Sequence, residues 1–114
     1  MSKIFYDKLV NLEKVERQIK KVVNDHDEKH ELWRIIDELI HHRIFLCIFD
    51  NLPKDKHDEF LEKFKKSPFD DRLLNYLTKE VKKDIEVLIK YEIEKVELEL
   101  LSFIGGSKKL GKNG

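Results

Sequence analysis

The chain contains no alanine, one cysteine, two prolines and four glycines in 114 residues. Each scarcity excludes something. Without alanine, helix formation rests on long side chains and on packing. A lone Cys47 rules out an internal disulfide, and its place inside an apolar run marks it as a small buried hydrophobe. Every glycine falls at or after Gly105, so only Pro53 and Pro68 interrupt the first 104 residues, and such a chain is mostly helix. No apolar run is longer than Ile44–Phe49, far short of the ~20 residues a membrane span needs. Asp7 and Lys8 interrupt Met1–Val10, which therefore lacks the apolar stretch of a signal peptide. The expected location is the cytoplasm. A glycine-rich phosphate loop, a G-x-S-x-G elbow and a C-x-x-C pair are all missing.

Net charge is also absent: 23 basic and 23 acidic residues cancel. A dedicated nucleic-acid binder carries a basic surface, so balance argues against that class. The balance is uneven along the chain. Residues 1–24 hold six basic and three acidic groups, and residues 25–52 hold three basic and seven acidic ones. A basic first helix and an acidic second are expected to attract each other as they pack, by about 0.2–0.5 kcal/mol per exposed pair.

What is present is helical periodicity. Ser2 can cap a first helix reaching Asn24, with Phe5, Leu9, Leu12, Ile19 and Val22 or Val23 on one stripe. Asp25 followed by Glu28 makes a capping-box-like start for a second helix ending near Asp50. Its first half is amphipathic through Leu32, Ile35, Ile36, Leu39 and Ile40. In its second half Ile44–Phe49 covers the whole circumference, so this helix is either central or meets another molecule. Pro53 and Ser67-Pro68 open a third and a fourth helix, the third burying Phe60, Leu61 and Phe64, the fourth Phe69, Leu73, Leu74 and Leu77. A break is expected within Thr78–Asp84. In the last helix Ile89, Ile93, Val96, Leu100 and Phe103 step by four, three, four and three, and Gly105-Gly106 is the expected C-cap. The pattern predicts an all-α fold: a compact bundle of about five helices with a long C-terminal helix. It predicts a single domain over 1–106 and a flexible lysine-containing tail over 107–114.

Glu31 to Leu101 resembles a family of small helical bacterial proteins, a domain of unknown function met mostly in uncultivated candidate-phyla bacteria. The likeness is carried by Leu32, Ile36, Leu39, Ile40 and Arg43, by Leu52–Leu61, and by Leu73–Leu77 and Ile85–Leu101. The family pattern has a proline near Lys83 that is missing here, and residues 1–24 fall outside it. The resemblance implies a small helical fold and brings no catalytic residues with it.

Several clusters invite chemistry. His26 and His30, four apart, share a helix face as two zinc ligands do. But Asp27 replaces the glutamate of an H-E-x-x-H helix, and no third ligand follows at a recognised spacing. A solvated helix start is the plainer reading. His41 and His42 point about 100° apart and cannot chelate together, although one of them can be half-buried and hydrogen-bonded. His57 reads as solvated. Asp70-Asp71-Arg72 and the set Glu92, Glu94, Glu97 and Glu99 read as solvated faces rather than a paired-carboxylate catalyst. Lys108, Lys109 and Lys112 read as a solubilising tail. Trp33 is an interface anchor or the closure of the bundle end.

The function that follows is non-enzymatic, with no cofactor and no metal site: a module for protein–protein interaction or self-association. The interface candidates are Trp33, Phe45, Phe49, Ile93, Leu100 and Phe103. The alternatives are a metal-binding protein or hydrolase using His26 and His30, and a nucleic-acid or ribosome-associated factor using the basic first helix and the tail. No membrane partner is expected.

Overall fold

The computed structural model describes the backbone of residues 4–113 and the side chains of residues 4–104. Five α-helices follow one another: α1 (Glu13–Val22), α2 (His26–Asn51), α3 (His57–Lys66), α4 (Arg72–Glu80) and α5 (Ile85–Asn113). Two single-turn 3₁₀ segments, Asp7–Leu9 and Lys54–Lys56, precede α1 and α3. The all-α bundle with a long last helix is as the periodicity predicts.

The boundaries show which local signals held. Asp25 caps α2 by accepting the Glu28 N–H at 3.3 Å. Val81 is extended, and Asp84 caps α5 by accepting the Val87 N–H at 3.3 Å, so the break before α5 lies where it was expected. The first helix is shorter than its stripe suggests. It begins at Glu13; the expected cap, Ser2, lies outside the described residues. Phe5 and Tyr6 are buried side by side, and the Phe5 N–H donates to the Pro68 carbonyl at 2.9 Å. The chain therefore crosses the α3–α4 turn before it coils. Phe69 belongs to that turn and is exposed rather than buried in α4. At the other end, α5 passes through Gly105-Gly106 instead of stopping there. A cap requires the left-handed region, and no described glycine has positive φ. An established helix absorbs a glycine at about 1 kcal/mol. The segment expected as a tail, 107–114, continues α5 as far as Asn113, and the side chains of its three lysines lie outside the described residues.

One core joins all five helices. The isoleucines Ile36, Ile40, Ile44 and Ile48 recur every fourth residue along α2 and are buried throughout. They face Ile85, Ile89, Ile93 and Val96 of α5, with Val15 and Ile19 of α1 and Leu73, Leu74 and Leu77 of α4 completing the cluster. The helix with an apolar circumference is not the central one. α5 is, packing against α1, α2, α4 and the first 3₁₀ turn. The basic α1 accordingly lies on α5, and among the described residues no ion pair joins it to the acidic start of α2. Burial of Val15 and Ile19 outweighs pairing of exposed charges, as the magnitudes require.

Candidate interaction face

The apolar run of α2 is divided between two environments. Phe45 and Phe49 turn toward α3 and enter an aromatic cluster with Phe5, Phe60 and Phe64. Ring centroids there are 4.9 Å apart for Phe45–Phe64 and 6.3 Å for Phe5–Phe45. His41 stacks on Phe45 at 4.3 Å and meets the Tyr6 hydroxyl at 3.4 Å. It is the half-buried member of the His41-His42 pair; burial, and His42 beside it, hold its pKa below the usual histidine value. His57 is not simply solvated: its Nε2–H donates to the Leu52 carbonyl at 2.9 Å and satisfies the end of α2. The Tyr76 hydroxyl is buried behind α3, with no partner at hydrogen-bond geometry among the described residues.

The other side of the run faces α5. The end of α2 and its cap, Phe49–Leu52, share a cleft with Val81, Lys82 and Lys83 just before α5 begins. Midway along α2, Arg43 reaches Glu92 and Glu99. The two helices are therefore antiparallel. Arg43 Nε donates to Glu92 at 3.2 Å, and its two terminal nitrogens donate to the two Glu99 oxygens at 3.0 Å each. Lys95 pairs with Glu92 at 2.6 Å and lies 4.9 Å from the Tyr91 ring centroid. Hydrogen bonds from Arg43 hold Glu99 below its usual carboxylate range. At Glu92 burial pulls upward, but the hydrogen bonds from Lys95 and Arg43 win and the pKa falls. Cys47 stands beside this seam; burial, then the Glu92 charge, raises its thiol pKa, which suits an unreactive side chain.

Helical geometry at 100° per residue orders what lies outside the seam. Around α2 the sequence runs from the isoleucine stripe to Arg43, and then to Leu39, Leu46, Ile35 and His42. Around α5 it runs from the core stripe to Glu92 and Glu99, then to Lys95, Tyr91, Leu98 and Val87. The rotational sense is the same on both, so in an antiparallel pair both outer stripes lie on the same side. That side is apolar and open: Leu98 is 67% exposed, Val87 59%, Tyr91 58%, Ile35 50% and Leu46 48%. Large side chains so exposed on adjoining helices make a patch rather than scattered singles.

Only some of the candidates read from sequence belong to this patch. Ile93 is 4% exposed and sits in the protein's own core, so it offers nothing to a partner. Trp33 and Leu100 are half-buried against that core, and Phe45 and Phe49 are committed to the aromatic cluster. Phe103 is exposed, but it continues the line of Ile89 and Val96 rather than the outer stripe of α5. Val87, Tyr91 and Leu98 were legible as a second apolar stripe offset from the core stripe of α5, but the core stripe obscured it. His26 and His30 are both exposed at the start of α2. Among the described residues no three His, Cys, Asp or Glu side chains are placed to hold one metal ion, and no helix is long and apolar enough to cross a membrane. Comparisons with protein-family models, with curated proteins and with solved structures give no match.

Proposed function

We propose that this protein is a cytoplasmic helical interaction module whose binding face is the outer side of the α2–α5 pair. One observation carries the reading: Ile35, Leu46, Val87, Tyr91 and Leu98 stand about half exposed or more, and helical geometry puts them on one side of two adjoining helices. A chain with 40% charged residues has ample polar side chains to cover that side and does not use them. Contiguous apolar area of this kind mostly marks a surface covered in use. The mixed character of the face supports the same reading, since apolar anchors flanked by paired charges match the make-up of non-obligate interfaces. Tyr91, an aromatic with a lysine over its ring, is the residue type that most often anchors such contacts.

The test is a photo-activatable residue at position 98, with position 62 on the exposed side of α3 as control. Covalent adducts are expected in cells from position 98 and not from position 62. Equal labelling at both positions, or none at 98, overturns the reading.

A further inference from the structure

We infer that the occupant of the α2–α5 face is a second copy of this chain, docked about a twofold axis to form an antiparallel four-helix arrangement. The inference rests on the interaction-module reading and specifies the partner.

Charge is the first argument. The seam carries two cations, Arg43 and Lys95, and two carboxylates, Glu92 and Glu99, already paired with one another. The seam is thus electrically closed, and the exposed Asp50 on the same stripe of α2 leaves the face close to neutral. A partner selected by charge would need a face of strong net sign, whereas a copy of the same face is tolerated where that sign is small. Like charges set opposite each other cost several kcal/mol in other interfaces; here Arg43 and Lys95 each keep a carboxylate of their own.

Spacing is the second. Ile35, Leu39, His42 and Leu46 step by four, three and four along α2, the spacing of a helix-packing seam. Tyr91 and Leu98 are one heptad apart on α5, with Val87 one turn before. A twofold axis parallel to the helices lays α2 of one copy over α5 of the other. Every neighbouring pair is then antiparallel, the up-and-down geometry in which such bundles pack best. Each contact is made twice, so a self-complementary face gains double from each residue.

Size is the third. Arg43 stands level with Glu92 and Glu99, so in the antiparallel pair Ile35 of α2 lies about 16 residues of rise from Val87; at 1.5 Å per residue the face is about 24 Å long, and two helices of roughly 10 Å each make it about 20 Å wide. That is on the order of 500 Å² per copy and roughly 1,000 Å² in total, the lower bound of a specific interface. It fits one further helix pair and belongs to the weak, reversible class of interface.

The experiment is sedimentation equilibrium of the full chain from about 2 to 500 µM. The mass is expected to rise from 13.7 kDa toward twice that value. Leu98→Lys and, separately, Tyr91→Lys are each expected to weaken dimerisation at least tenfold with an unchanged far-ultraviolet circular dichroism spectrum. Both side chains are more than half exposed, so neither substitution removes a core residue. A monomer at every concentration, with position 98 cross-linking to a different protein, overturns self-association and leaves the module reading standing. A monomer with no adduct overturns both. A dimer indifferent to both substitutions overturns this face as its interface.

Discussion

Arg43 holds Glu99 through two parallel hydrogen bonds of 3.0 Å each, joining residues 56 positions apart across the α2–α5 seam. The same guanidinium reaches Glu92. Both carboxylates titrate below their usual value of 4.5, so the folded state prefers them ionised. Their contribution is present above the unfolded pKa and lost as pH falls through the folded one. Stability is therefore expected to decline below pH 4.5 more steeply in the natural protein than in Arg43→Met. Urea unfolding at pH 7, 4.5 and 3 measures this; parallel pH profiles would show that the clasp contributes nothing.

His41 gives a second pH dependence with the same sign from the opposite kind of group. Its neutral form is favoured by burial against Phe45, and the groups facing it are Tyr6, His42, Asp7 and Asp37. The unfolded chain takes up this proton first. Stability falls as pH drops from the ordinary histidine value of 6.5 toward the lower folded pKa. His41→Phe keeps the stacking and is expected to flatten the unfolding-midpoint profile between pH 7 and 5. A slope unchanged in the variant would assign the effect to other groups.

Burial separates two residues of similar chemistry. Ile44 is fully buried and Leu98 largely exposed. Ile44→Ala is expected to cost about 2–5 kcal/mol, and Leu98→Ala at most about 0.5 kcal/mol in the monomer. Chemical denaturation at low protein concentration distinguishes them, and comparable losses would contradict the packing described.

The Tyr76 hydroxyl lies buried with no partner at full hydrogen-bond geometry among the described residues; burial first, and then the Glu59 carboxylate as the nearest acceptor and as a charge, push its pKa up to about 12. Removing a polar atom whose only acceptor, Glu59, is poorly placed removes chiefly its desolvation cost. Tyr76→Phe is expected to raise stability by about 1 kcal/mol; a loss of that size would reveal a hydrogen bond.

Gly105 and Gly106 lie within α5 at negative φ. Alanine favours a helix interior over glycine by about 1 kcal/mol per residue. The double change Gly105→Ala, Gly106→Ala is expected to increase helix content at 222 nm. A decrease would place the pair in a left-handed cap.

Much of this architecture is written in periodicity. The α2 isoleucines and the α5 core stripe recur at three and four residues, and Asp25, Asp84 and Pro53 punctuate as their chemistry requires. Phe5 was misread for a reason of the opposite kind. Its stripe with Leu9 and Leu12 is helical in spacing, but its native partners are Phe45, Phe60 and Phe64, 40 to 59 positions away. Local pattern carries no record of contacts so distant. The interaction face was half legible for a related reason. Leu46 looked like its neighbours in the apolar run, and only the docking of α3 on one side and α5 on the other leaves it half exposed. Arg43 stands beside the apolar run in sequence, whereas its carboxylates lie 49 and 56 positions onward.

The hub position of α5 bears on how the fold is first made. Chains emerge from the ribosome at about 5–20 residues per second, and the N-terminal part appears first. Helices α1 to α4 come out before the helix that binds three of the other four. Until Val96 has emerged, Ile19, Ile36 and Ile44 have no complete wall to bury against. Assembly of the domain is thus deferred to a late moment of its own translation, and then all five helices gain their shared interior together.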